Sequence, residues 1–329
     1  MFEHKDTIKI LSIDGGGIRG LIPALLLAEI EKNCGKISQL FDFFAGTSTG
    51  GILTLLLNKP NALPAEEISK IYQGDDAKKI FKKNIFNVIS KGEKYDSKGI
   101  ETVLGTKLEN YCLKDAVNPV LIPSYDMESR NTVFFNNYDN KFNNTYLKDV
   151  ARATSAAPTY FEPYRINGSR TFVDGGVAVN NPAMSAYVEV IKLLKKSEID
   201  PNSKRIVVVS LGTGSATSSF SYDEIKNWNP INWVTGPLIP TFFDGNSTTV
   251  EYQLKQILPT DCYFRFQLML PNEKGADALD NVDDKNLSKL KDLTQIYIEQ
   301  DDVNGLPIGW ASKLATICTN LQPITKPVP

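Results

Sequence analysis

Histidine is almost missing: the 329 residues include one, His4. Chemistry built on an imidazole, such as the usual Ser-His-Asp arrangement, has only this N-terminal residue to draw on. Cysteine is scarce as well. Cys34, Cys112, Cys262 and Cys318 stand far apart with no CxxC pair. That argues against a zinc site and against a disulfide framework. Neither sign of charge is in excess: 36 Lys and Arg against 38 Asp and Glu leave a formal net charge of -2. Nothing there would neutralise a phosphate backbone, so nucleic acid is not expected as a main partner. No apolar run reaches about 18 residues, so no membrane-spanning helix is expected. The start, MFEHKDTIKI, lacks the apolar core of a signal peptide. These absences together predict a soluble protein of a reducing compartment, the cytoplasm. Export by a non-classical route is the alternative.

What is present is ordinary globular material, 42% apolar and 22% charged. No internal repeat or clear linker interrupts it, which predicts one domain over residues 1–329. Ile8 to Ile13 reads as a buried strand, and Leu21 to Asn33 as a buried helix. Leu40 to Ala45 reads as a second strand and Gly50 to Leu57 as a second helix ending before Lys59-Pro60. This strand–glycine turn–helix alternation, twice over, predicts an α/β fold with a mostly parallel sheet. Further on, Pro64 to Phe86 reads as helical. Pro119 to Ser124 and Thr132 to Asn136 read as strands around a turn at Asp126 to Ser129, and Thr145 to Ser155 as a helix. Thr171 to Val173 reads as a short strand. Asn181 and Pro182 read as the start of a helix running to about Lys196. Arg205 to Leu211 and Tyr263 to Leu270 read as strands, and Asp284 to Ile298 as a helix. Phe220 to Pro259 reads as irregular, and the tail LQPITKPVP as loose.

The second glycine turn, Gly46-Thr47-Ser48-Thr49-Gly50, is G-x-S-x-G between a strand and a helix. That is the setting of a nucleophile elbow, where glycines flank a serine on a sharp turn and a helix N-terminus faces the reaction centre. Read without chemistry, GTSTGG is a tight turn with Thr47 or Ser48 capping a helix. A nucleophilic serine needs a base. With His4 an unconvincing candidate, the base must be a carboxylate or a lysine. Asp174, ending a short strand before Gly175 and Gly176, is the strongest candidate, expected at the same C-terminal sheet edge as Ser48. Burial would raise its pKa into a useful range. The plain alternative is a DGG turn.

The first glycine turn, Asp14-Gly15-Gly16-Gly17-Ile18-Arg19-Gly20, has two readings. Gly15, Gly17 and Gly20 satisfy G-x-G-x-x-G, the phosphate loop of a nucleotide-binding α/β protein. That reading wants an acid at the end of the second strand, where Asp42 lies inside, and it leaves Ser48 unused. The other reading is an oxyanion hole: Gly15, Gly16 and Gly17 offer bare N–H groups, with Arg19 adding charge or bracing the loop.

DGGGIRG, GTSTGG, ATSAAPTYFEP (Ala153 to Pro163) and DGGVAVNNP (Asp174 to Pro182), in that order, resemble the patatin-like phospholipases. The resemblance is strongest over residues 8–214 and thin over 215–329. It implies a three-layer α/β/α sandwich and hydrolysis of membrane glycerolipid esters. Ser48 would be the nucleophile and Asp174 the proton acceptor. Gly15, Gly16, Gly17 and Arg19 would form the oxyanion loop, with Gly46 and Gly50 supporting the elbow. It implies no metal and no cofactor. The partners it implies are phospholipid substrate, transient contact with a membrane surface, and an optional small-molecule or protein activator. A catalytically silent lipid-binding protein of the same fold is the rival within the resemblance. Asn227 to Phe243, which holds two of the three tryptophans, reads either as an interface-seeking flap or as a loop whose aromatics pack inside.

Overall fold

The computed structural model describes residues 2–83, 93–166, 168–215, 217, 219–235, 238–273, 275–300 and 310–321. Eight strands form one sheet: β1 Thr7–Ile13, β2 Phe43–Gly46, β3 Val120–Asp126, β4 Asn131–Asn136, β5 Tyr164–Ile166, β6 Arg170–Asp174, β7 Arg205–Leu211 and β8 Tyr263–Phe266. The longer helices are α1 Leu21–Cys34, α2 Thr49–Asn58, α3 Ser97–Leu108, α4 Leu147–Thr154, α5 Ala183–Lys196, α6 Leu238–Ile257, α7 Asp284–Glu299 and α8 Trp310–Leu321.

Alternation along the strands decides what each face carries. In β1, Leu11 and Ile13 face one apolar cluster while Ile8 and Ile10 face the other. The first cluster takes in α1, α2, α3, α4 and α7. The second takes in α5 and part of α6, through Ala183, Ala186, Val190, Val250 and Leu254. Two helical layers therefore enclose the sheet, each buried side chain adding on the order of 1.5–3 kcal/mol. The strands β3, β2, β1, β7 and β8 run parallel; β4, β5 and β6 join antiparallel at one side. This is the expected α/β/α sandwich with a mostly parallel sheet. All ten residues of α2 are buried, so this helix runs through the interior and has no solvent face.

Several elements differ from the sequence expectation. The second strand is only Phe43–Gly46, because Ile37–Leu40 is a helical turn and Asp42 is drawn aside to accept from the Lys9 N–H at 2.8 Å. The expected helix from Pro64 is broken into Ala65–Ser69 and Gly74–Ile80 by extended Gln73; its last residues, 84–86, lie outside the described ones. The stretch expected to be irregular from Phe220 holds Tyr222–Ile225, Pro230–Thr235 and the 20-residue α6. Pro240 does not break α6 because it falls in the first turn, where a missing N–H costs nothing. Residues 322–329, most of the tail expected to be loose, are outside the described residues.

Cys34, at the end of α1, is disulfide-bonded to Cys318 in α8, with Cα atoms 5.8 Å apart. The spacing of the cysteines along the chain argues against a disulfide framework. The fold brings these two together across 284 residues, and the reducing-compartment expectation loses its cysteine support. Cys112 and Cys262 are free. Among the described residues no helix is long and apolar enough to cross a membrane.

Candidate active site

Ser48 sits where β2 turns into α2. Its φ of 54° and ψ of -120° lie in a region that costs a non-glycine residue of order 1–3 kcal/mol. The surroundings hold it there. Thr47 donates its N–H to Ile13 O at 3.1 Å and its hydroxyl to Val179 O at 2.7 Å. The Ser48 N–H is bound by Thr154 Oγ1 at 3.0 Å. The flanking glycines are required by close approach. A Cβ on Gly46 would lie 2.1 Å from Gly50 O, and one on Gly50 2.2 Å from Ile13 O.

Asp174 ends β6, and topology brings it to Ser48. Strand β4 pairs Leu121 to Asp126 along one edge of β3, so β2 and β6 share the other edge. There β2 pairs Val120 and Leu121 while β6 pairs Ser124 to Asp126 from the opposite direction. The two strands meet end to end. The expectation of a common C-terminal edge of a parallel sheet is thus corrected: Asp174 arrives on an antiparallel strand pointing at the elbow. The Ser48 hydroxyl donates to Asp174 Oδ2 at 2.6 Å, and Oδ1 accepts the Gly176 N–H at 2.7 Å. Both residues are buried, Ser48 6% and Asp174 1% exposed. Burial pushes the Asp174 carboxyl up to about 7, against the opposing pull of the Ser48 and Gly176 hydrogen bonds and the Arg152 charge.

The glycine loop lies beside this pair, and its members differ. The Gly15 N–H is spent on Asn180 O at 3.1 Å, which removes it as a free donor. Among the described residues the Gly16 and Gly17 N–H groups have no such acceptor. Gly17, at φ +58°, lines the cavity with Ser48 and Asp174. Arg19 is buried and turns its Nη1 toward Gly214 O at 3.4 Å; it does not line the cavity. It braces the loop and does not supply charge at the reaction centre. As for the phosphate-loop reading, the acid it needs is engaged elsewhere: Asp42 lies before β2, bound to the Lys9 N–H and to Lys5 Nζ at 2.6 Å. His4 is exposed ahead of β1, and the cavity contains no histidine.

Three contributors escaped the sequence reading. Arg265 clamps Asp14, the residue entering the glycine loop, through Nη1 to Oδ1 at 3.0 Å and Nη2 to Oδ2 at 2.6 Å. Arg152 is fully buried, donates to Ser97 Oγ at 2.7 Å and lies over the Phe161 and Tyr164 rings. Phe243 is the third. It sits in the stretch read either as a flap or as a loop with its aromatics packed inside, and it is buried against the cavity while its neighbour Phe242 is 56% exposed. Nearby, Trp228 packs edge-on to both Phe220 and Trp233, ring centroids 5.1 Å apart in each pair.

The cavity beside Ser48 has a volume of about 50 Å³. Its walls are apolar, with Ile52, Leu56, Ile80, Val103 and Leu104 prominent. At one place Lys107 joins the lining, its Nζ held by Asp76 at 3.1 Å.

With this geometry in hand, the kinship of the chain can be stated. The profile of the family described as "Patatin-like phospholipase" matches residues 11–187. "Patatin-like protein 2" of Arabidopsis thaliana is 36% identical over 297 residues, covering 77% of this chain and 73% of that one. "Patatin-like protein 2" of Oryza sativa subsp. japonica is 32% identical over 350 residues, covering 91% and 85%. Among solved structures, VipD from Legionella pneumophila superposes loosely, with a TM-score of 0.46 and 10% identity over 88% of this chain and 67% of that one. The chain belongs to the patatin-like phospholipases, a family of lipid acyl hydrolases.

Proposed function

We propose that the protein hydrolyses fatty acyl esters of membrane glycerolipids through a Ser48-Asp174 dyad. The observation that carries this reading is the direct 2.6 Å hydrogen bond from hydroxyl to carboxylate, with no imidazole between them. Asp174 takes the Ser48 proton as Oγ attacks the ester carbonyl carbon. The oxygen that becomes negative is met by the free N–H groups of Gly16 and Gly17, each such donor being worth about 3 kcal/mol in the transition state. The tetrahedral centre collapses, the ester bond breaks, and the leaving alcohol or lysolipid takes the proton from Asp174. Water, deprotonated by Asp174, attacks the acyl-enzyme. The fatty acid leaves and the proton returns to Ser48. A carboxyl pushed up to about 7 is basic enough for this at neutral pH, where an ordinary aspartate is not.

The apolar cavity suits an acyl chain, yet at about 50 Å³ it is far below the ~300–1,000 Å³ of most ligand sites. It must widen before substrate enters. Phe243 forms part of its wall, and Phe242 and Trp233 of the same stretch of sequence are exposed. Insertion of these aromatics at a membrane surface would move Phe243, so contact with lipid is the opening event in this reading. A separate activator would act on the same wall.

The test is fatty acid release from phosphatidylglycerol and phosphatidylcholine vesicles, followed by mass spectrometry alongside hydrolysis of a soluble short-chain ester. Wild type releases fatty acid. Trp233→Ser with Phe242→Ser lowers vesicle hydrolysis about tenfold, through the lost interfacial burial of two rings, and spares the soluble ester. Equal loss on both substrates would contradict the membrane role. No release from any vesicle would contradict the proposed substrate.

A further inference from the structure

The ATSAAPTYFEP segment has so far been used only as a mark of kinship. In the structure it lies beside the two reacting residues and holds the backbone of each. Thr154, at the end of α4, is fully buried. Its hydroxyl donates to Pro123 O at 2.6 Å and accepts the Ser48 N–H at 3.0 Å. A hydroxyl has one proton and two lone pairs. With the proton committed to Pro123, the oxygen can only accept from Ser48, so the direction of the relay is fixed.

The position of Pro123 explains why this relay is needed. On the edge of β3 shared by β2 and β6, the β2 pairing ends at Leu121 and the β6 pairing begins at Ser124. Pro123 falls in the gap, where neither strand supplies a ladder partner to its carbonyl. Two residues beyond Thr154, the Ala156 carbonyl accepts the Asp174 N–H at 2.9 Å. On the other side, Ser124 Oγ bonds the Ala153 carbonyl at 3.1 Å and the Val173 carbonyl at 2.8 Å. One short segment therefore grips the backbone of the nucleophile, the backbone of the base and the strand along whose edge β2 and β6 both pair. The elbow is built to receive it: a Cβ on Gly51 would come within 2.8 Å of the Thr154 methyl.

We propose that Thr154 is a positioning residue for the dyad. Its hydroxyl holds Ser48 in its unfavourable backbone conformation and sets the hydroxyl-to-carboxylate distance. This rests on the Ser48-Asp174 reading above. Without that oxygen, the Ser48 N–H is buried without an acceptor and the strained turn loses its restraint, so Oγ shifts relative to Oδ2.

The test uses the full-length protein and a soluble short-chain ester, 4-nitrophenyl butyrate, with Ser48→Ala measured beside it. Thr154→Val keeps the shape and the methyl against Gly51 and removes only the hydroxyl. It should lower kcat about 100-fold, the scale of a small misplacement, with KM within about twofold because substrate contacts are unchanged. Thr154→Ser, which keeps the oxygen, should stay within about threefold of wild type. Should the valine variant fail to fold, Thr154→Cys, with its weak sulfur acceptor, replaces it in the same comparison. A folded Thr154→Val with unchanged kcat overturns the proposal. So does a Thr154→Ser protein that loses as much as the valine variant, which would point to methyl packing. Full activity of Ser48→Ala would instead overturn the dyad reading beneath it.

Discussion

Asp174→Asn should lower kcat by about 10⁴-fold and raise folding stability at pH 8. The first effect follows from removing the carboxylate bonded to the Ser48 hydroxyl, at the upper end of what general-base catalysis supplies. The second follows from burial. In the unfolded chain the carboxyl titrates near its ordinary 3.8; in the folded chain it is pushed up to about 7. Between those values the folded state holds a proton that the unfolded state has released. Stability therefore falls as pH rises from about 4 to 7, and the full cost of burying the charge is present above 7. Asparagine never ionises and avoids that cost. Its amide still accepts from the Gly176 N–H and donates to Ser48 Oγ. The gain is on the order of a few kcal/mol at pH 8 and fades toward pH 4. Urea unfolding of both proteins at pH 8 and pH 5 reads it directly. A gain independent of pH, or none at pH 8, would mean the carboxylate is not a desolvated base. In wild type, kcat/KM should climb through pH 7 to a plateau, since the ionised form of Asp174 is the working one.

Gly50→Ala should be among the most damaging single-methyl changes in the chain. The added Cβ would lie 2.2 Å from Ile13 O and 2.7 Å from Asp14 O. These are backbone atoms of β1 and of the loop it enters. Ile13 pairs with both Gly46 and Leu211, and Asp14 is clamped by Arg265, so neither side can give way without cost. Overpacking of this kind costs about 3 kcal/mol or more. Whatever relaxation occurs drives the glycine loop away from the elbow, so the surviving folded fraction should also lose activity. Thermal unfolding and kcat on a soluble ester measure the two effects separately. Wild-type stability with wild-type kcat would show that the elbow tolerates a side chain and that its glycines are incidental.

The parts of the molecule that could be read in the sequence are those set by local pattern. Arg205 to Leu211 is a β-branched run bounded by a glycine turn, and it forms β7 over those same residues. Asn181 accepts the Ala183 N–H at 3.0 Å at the head of α5, although the helix begins one residue later than its place before Pro182 predicts, with Pro182 at the cap and Ala183 first in the helix. Ser48 could be singled out because GTSTGG lies between a strand and a helix. What stayed hidden depends on distant partners. Arg265 is 251 residues from the Asp14 it clamps. The direction of β6 is set by its pairing with β3, which a three-residue apolar run does not reveal. Cys34 and Cys318 meet only because α1 and α8 pack together. The helices between Tyr222 and Ile257 were masked by their Pro, Gly and Trp content, yet proline in a first turn is compatible with helix. Gly15 reads like Gly16 and Gly17 in the glycine loop and Arg19 reads as either a charge or a brace, and only the fold shows Arg19 turned to Gly214 and Gly15 bonded to Asn180.

The central claim is that an aspartate alone makes the hydroxyl of Ser48 nucleophilic. Reaction with an alkyl fluorophosphonate, read by intact mass and peptide mapping, tests it most directly. The account predicts one adduct per chain, located on Ser48. Its rate should rise through pH 7 in wild type and collapse in Asp174→Asn, with no adduct in Ser48→Ala. An adduct on another residue, or labelling of Ser48 at an undiminished rate in Asp174→Asn, would contradict it.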